Sequence, residues 1–184
     1  MRFSLGCKIP GGAVVDFPAL ALRMRALLTA LFVLLSLTGC YEVKQEVIPA
    51  SLGEVIPYSC DQVDFDSGGK ILFSPPLGNH DYRFREISYS GSERPGSFRA
   101  LRIKDNIYAV QAHYNDESPY QILFYLITAE RFQVVDITKD TDLKTFASLF
   151  GVEYRGDELS KGFTGDPRKI LAMLRGMSAV EFEP

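Results

Sequence analysis

The 184-residue chain contains no tryptophan, only two histidines and only three cysteines. Each shortage removes some chemistry. Without tryptophan, the broadest aromatic platform for stacking on sugar rings is missing, which weakens a carbohydrate-binding reading. His80 and His113 are a thin supply for zinc, and their spacing matches no helix-borne or loop-borne ligand motif. A serine nucleophile wants a Gly-x-Ser-x-Gly elbow or a Ser-x-x-Lys placement, and neither Ser90-Gly91-Ser92 nor Gly96-Ser97-Phe98 fits the elbow. Gly162-Phe163-Thr164-Gly165-Asp166 opens a helix but lacks the lysine and spacing of a phosphate-binding loop. The run Asp61-Gln62-Val63-Asp64-Phe65-Asp66 suggests a hard-cation loop, yet Pro75 stands where an EF-hand needs its closing carboxylate. We therefore read it as a solvated turn, and expect no metal and no cofactor. Internal repeats and low-complexity tracts are also missing. The uncharged apolar stretch 26–37 has 12 residues, against the ~20 that a membrane-spanning helix needs.

That short apolar stretch is the most informative thing present. Arg23 and Arg25 precede it, and Leu37-Thr38-Gly39-Cys40 closes it. A basic flank, an apolar core of this length and a small residue are the parts of a secretory signal. The tetrapeptide resembles the lipobox of bacterial lipoproteins. The resemblance implies that the Cys40 thiol receives a diacylglycerol, that the chain is cut before it, and that the new amino group is acylated. Two or three chains make a stable membrane anchor where one is marginal. Tyr41 stands where an aspartate often marks inner-membrane retention, so the resemblance points to the periplasmic leaflet of the outer membrane. Residues 1–23 contain Pro10, Gly11, Gly12, Asp16 and Pro18, which suit no signal helix. We expect translation to start at Met24.

The expected organisation is a signal peptide at 1–39, a lipidated N-terminus and linker at 40–51, and one globular domain at 52–184. Removal of residues 1–39 takes away Arg2, Lys8, Arg23, Arg25 and Asp16. The mature chain then carries 16 basic and 22 acidic residues, a net charge near −6. An acidic domain is a poor partner for nucleic acid or, through its own surface, for anionic lipid. Cys60 would remain as the lone free thiol, so no intrachain disulfide is expected.

Within the domain the apolar period is mostly two. Ile71-Leu72-Phe73 reads as a strand stopped by Pro75-Pro76. Residues 82–89 read as a second, with a phase slip between Phe84 and Ile87 that suggests a bulge. Residues 90–96 read as a loop. Residues 98–103, 107–114, 121–128 and 132–137 are four strands joined by connections too short for anything but antiparallel pairing, hence a β-meander over 97–138. Residues 122–127 are apolar throughout, the mark of a central strand covered on both faces. Leu143, Phe146, Ala147 and Phe150 recur at helical spacing, with Asp140 or Thr141 as cap and Gly151 at the end. Asp166-Pro167 starts a second helix carrying Ile170, Leu171 and Leu174 inward, with Gly176 just past its end. The expected fold class is α+β: an antiparallel sheet, curled toward a barrel, with two short C-terminal helices.

The remaining functional signal is tyrosine interleaved with arginine. Tyr82, Arg83, Arg85, Tyr108 and Tyr114 are the candidate face for a protein partner or a small ligand. The resulting expectation is a non-enzymatic envelope lipoprotein, held on the membrane by its anchor and binding an envelope protein or ligand. The alternative is a periplasmic hydrolase using Cys60 or the Asp64 and Asp66 carboxylates.

Overall fold

The computed structural model describes residues 41–59, 61–64, 68–77, 80–115, 119–138, 141–156 and 161–183. The expected signal peptide, Cys40, Cys60, Asp66 and the suggested cap Asp140 lie outside them. Eleven strands are described: β1 (Tyr41–Val43), β2 (Gln62–Asp64), β3 (Lys70–Leu77), β4 (Asp81–Ile87), β5 (Glu93–Lys104), β6 (Ile107–Tyr114), β7 (Tyr120–Ile127), β8 (Phe132–Ile137), β9 (Glu153–Gly156), β10 (Lys161–Thr164) and β11 (Phe182–Glu183). Helix α1 spans Leu143–Leu149 and α2 spans Pro167–Gly176. The fold is α+β, an antiparallel-dominated sheet that curls without closing, with both helices near the C-terminus.

The strand order is β2-β3-β4-β5-β6-β7-β1-β10-β9, with β8 branching from β7 and β11 pairing with β8. Neighbours along β2 to β7 pair antiparallel in sequence order, as short connections require. The exception in direction is β1, which runs parallel to β10 on one side and antiparallel to β7 on the other.

Side chains alternate between two cores. On the inner face Tyr82, Phe84, Phe98, Tyr108, Val110, Ile127 and Phe132 are buried together. The Phe73 and Phe132 rings, from β3 and β8, stand 5.4 Å apart although those strands share no ladder, so the sheet has curled around this face. On the outer face Leu101, Ala109, Ile122, Phe124 and Val135 meet Leu143, Ala147, Ile170, Met173 and Leu174 of the helices. Strand β7 therefore contributes Ile122 and Phe124 to one core and Ile127 to the other, as its apolar run requires.

Several local readings need correction. Strand β3 does not stop before Pro75-Pro76 but continues to Leu77, and its register with β4 slips by one between Ser74 and Leu77. Proline has no N–H to give the ladder, so the pairing skips there. Strand β4 has no bulge between Phe84 and Ile87, because its ladder with β5 is continuous from Tyr82 to Ile87. The apparent slip arises because Glu86 occupies an inner-face position, where its carboxylate accepts the Tyr114 hydroxyl at 2.6 Å. Strand β5 begins at Glu93, inside the expected loop.

Helix α1 is capped by Asp142, whose carboxylate accepts the Thr145 N–H at 3.0 Å, rather than by Thr141. Gly151 follows it with φ 66°, the left-handed turn expected there. Asp166 caps α2 and Pro167 is its first residue. Gly176 is the last residue of α2 rather than the one past its end, and a Cβ there would sit 2.5 Å from Phe150 Cζ. Its purpose is to admit that ring, not to end the helix.

Candidate functional site

The structure divides the five residues of the expected tyrosine–arginine face. Tyr82 is buried on the inner face, stacked on Phe98 with centroids 4.7 Å apart, and its hydroxyl accepts the Ile56 N–H at 2.9 Å. Tyr108 is fully buried, and among the described residues its hydroxyl has no hydrogen-bond partner. Tyr114 is half-buried. Arg94 covers its ring at 4.1 Å, while burial and the Glu86 carboxylate push its phenol well above the ordinary range. These three are structural tyrosines of the inner core. Arg83 and Arg85 are exposed on the outer face, where Arg85 faces Glu93 at 3.3 Å. The alternation of β4 points its tyrosine and its arginines to opposite faces, so the five cannot form one surface.

The two histidines also stay apart. His80 Nδ1 lies 2.6 Å from the Gly53 carbonyl, whereas His113 stacks on Tyr120 at 4.4 Å. Asp64 accepts the Gln62 side-chain amide at 2.6 Å. Among the described residues no three His, Cys, Asp or Glu side chains gather as a metal site. A cleft of about 220 Å³ opens beside the start of α2, between Lys44, Gln45, Phe163, Thr164, Gly165, Pro167 and Ile170.

The segment that sequence reading takes as a linker is held closely against the domain. Tyr41 and Val43 are buried at 2 % and 1 % exposure, inside the sheet rather than ahead of it. The Tyr41 ring stacks on Phe163 at 5.0 Å and meets Phe124 edge-on at 5.7 Å. Burial, reinforced by the nearby Asp136 carboxylate, drives its phenol well above the ordinary range. Past β1, the chain crosses the outer face as a strap. Gln111 Oε1 accepts both the Val47 and the Ile48 N–H, at 2.6 and 2.8 Å. Its cross-strand partner Arg99 donates to the Ile48 carbonyl at 2.9 Å, pairs with Glu46 at 2.5 Å, and holds Asp81 through its Nε. Hydrogen bonding to Asp81, followed by Glu46, outweighs burial and holds the guanidinium firmly protonated.

Residues 41–51, ahead of the expected domain start at 52, are thus already part of the described fold. The signal for this was the alternation Tyr41-Glu42-Val43-Lys44, which is too short to separate from coil by period alone. Arg99 and Gln111 carry no motif at all. Their role exists only because β5 and β6 set them side by side under the strap. Among the described residues no helix is long and apolar enough to cross a membrane. No family model, no curated protein and no solved structure matches the chain.

Proposed function

We propose that this chain is a lipid-anchored cell-envelope protein that acts by binding, and that its β domain is held directly against the membrane without a spacer. The observation that supports this reading is an adjacency. The lipobox-like Leu37-Thr38-Gly39-Cys40 is followed at once by Tyr41, which is already a buried residue of the sheet. A flexible linker of about eleven residues would span roughly 15–20 Å as coil. Here those residues are β1 and the strap, so an acyl group on Cys40 would sit one peptide unit from the domain. The surface left for a partner includes the exposed Arg83 and Arg85 on the outer face of β4.

The test is metabolic labelling with palmitate, combined with mass spectrometry of the mature N-terminus. Label on the wild type, absent from Cys40→Ser together with retention of the uncleaved signal, is the expected result. A wild-type protein recovered unlabelled and fully soluble refutes the anchor. Recovery of no partner at physiological salt, and of no ligand in native mass spectra of the lipidated protein, refutes the binding role.

A further inference from the structure

We infer that β9 pairs with β9 of a second copy of this chain, joining two sheets edge to edge about a two-fold axis through Tyr154. Strand β9 ends the sheet path, paired with β10 on one edge and with no strand of the described residues on the other. A free edge presents backbone donors and acceptors that accept another strand, and proteins normally blunt it with charge of one sign or with proline. Here the charges alternate instead. Glu153 and Arg155 point to the same open face, exposed, with Arg155 Nε 3.4 Å from Glu153 Oε1 within the strand. A two-fold interface is self-complementary, residue i meeting j and j meeting i. Antiparallel pairing centred on Tyr154 places Glu153 opposite Arg155 of the second copy, and Arg155 opposite its Glu153. The intrastrand contact of each copy is thereby exchanged for one cross-strand pair, giving two pairs of opposite charge about the axis, the arrangement that favours an antiparallel ladder. The residues that follow suit the same register, since Gly156 falls opposite Val152 and presents no side chain to it.

Five residues a side, 152–156, make a small interface, below what a freely diffusing stable dimer buries. Such contacts become populated when both partners are confined, and a shared membrane surface supplies that confinement. The pairing itself does not depend on the anchor.

The test uses two tagged copies in a Cys60→Ser background, one carrying Glu153→Cys and the other Arg155→Cys. Directly opposed residues in an antiparallel pair have Cα atoms about 4.5–5.5 Å apart, inside the range that a disulfide bridges. The mixed pair is expected to cross-link at least fivefold more than either variant with itself, because 153–153 and 155–155 lie diagonally across the axis and out of reach. A second readout is energy transfer between labelled copies in vesicles. It should fall by half or more in Glu153→Arg and in Arg155→Glu, and return in the double charge swap. Equal cross-linking in all combinations, none in the mixed pair, or energy transfer unmoved by the charge swap overturns the inference. If the protein fails to float with vesicles, the anchor has failed separately, and mixed cross-linking at high concentration in solution still decides the pairing.

Discussion

Replacing Gln111 by leucine tests the strap most directly. Leucine preserves the volume and removes one oxygen that accepts two buried N–H groups, those of Val47 and Ile48. Each buried donor left without a partner costs about 1–3 kcal/mol, so the closed strap is destabilised by about 2–6 kcal/mol. Against this stand the buried side chains of Val47 and Ile48, each worth about 1.5–3 kcal/mol of apolar burial. The two sums are comparable, so the strap should open locally while the sheet stays folded. Hydrogen exchange at the Val47 and Ile48 amides would then accelerate by roughly 30- to 20,000-fold, at about 1.4 kcal/mol per decade. Amides of the central strand β7 should change far less. Unchanged exchange at Val47 and Ile48 refutes the assignment of Gln111 as their acceptor. Equal acceleration throughout β7 refutes the strap as a separate unit.

Three further outcomes follow from the geometry. Tyr41 and Tyr114 have folded phenols raised above their unfolded value of 10.0. Their contribution is complete below that pH and is lost as pH rises beyond it. Together these two lower stability by up to about 2.7 kcal/mol per pH unit above pH 10, the raised phenols of Tyr58 and Tyr154 add to the fall, and Tyr41→Phe should make the slope shallower by up to about 1.4 kcal/mol per pH unit in urea titrations. Gly176→Ala, which would add about 0.5–1 kcal/mol in an open helix, should instead cost about 1–3 kcal/mol because its Cβ meets the Phe150 ring, and the sign of the thermal shift decides it. Arg85→Ala should change stability by less than about 1 kcal/mol, since its pair with Glu93 is exposed, whereas Arg99→Ala should cost about 2–3 kcal/mol by removing the one guanidinium that Asp81, Glu46 and the Ile48 carbonyl share. Equal losses in a denaturation series would contradict that difference.

Elements with a full period were legible in the sequence, and short or closely packed ones were not. Strands β6 and β8 were anticipated to the residue, because eight and six residues of alternation with clear turns leave little freedom. Strands β1, β2, β9 and β11 have two to four residues each and exist only through their neighbours. Composition marked Tyr82 and Tyr108 as surface candidates because tyrosine suits a half-buried sheet, but curling turned that face into an interior. Gln111 looked like any polar strand residue. Only the crossing of a distant segment gives its oxygen two donors.

The parallel seat of β1 has a consequence for the order of events in synthesis. Tyr41 pairs with Lys161 and Glu42 with Gly162, strands about 120 residues apart in a chain made N-terminus first. The meander from β2 to β8 can pair as it emerges, since its contacts are local. Strand β1 has one neighbour in β7 and must wait for β10 to gain the other. For most of the chain's emergence, the residues just behind Cys40 therefore remain half-paired at most, open to any enzyme that reads an extended segment there. Arrival of the C-terminal third closes that interval.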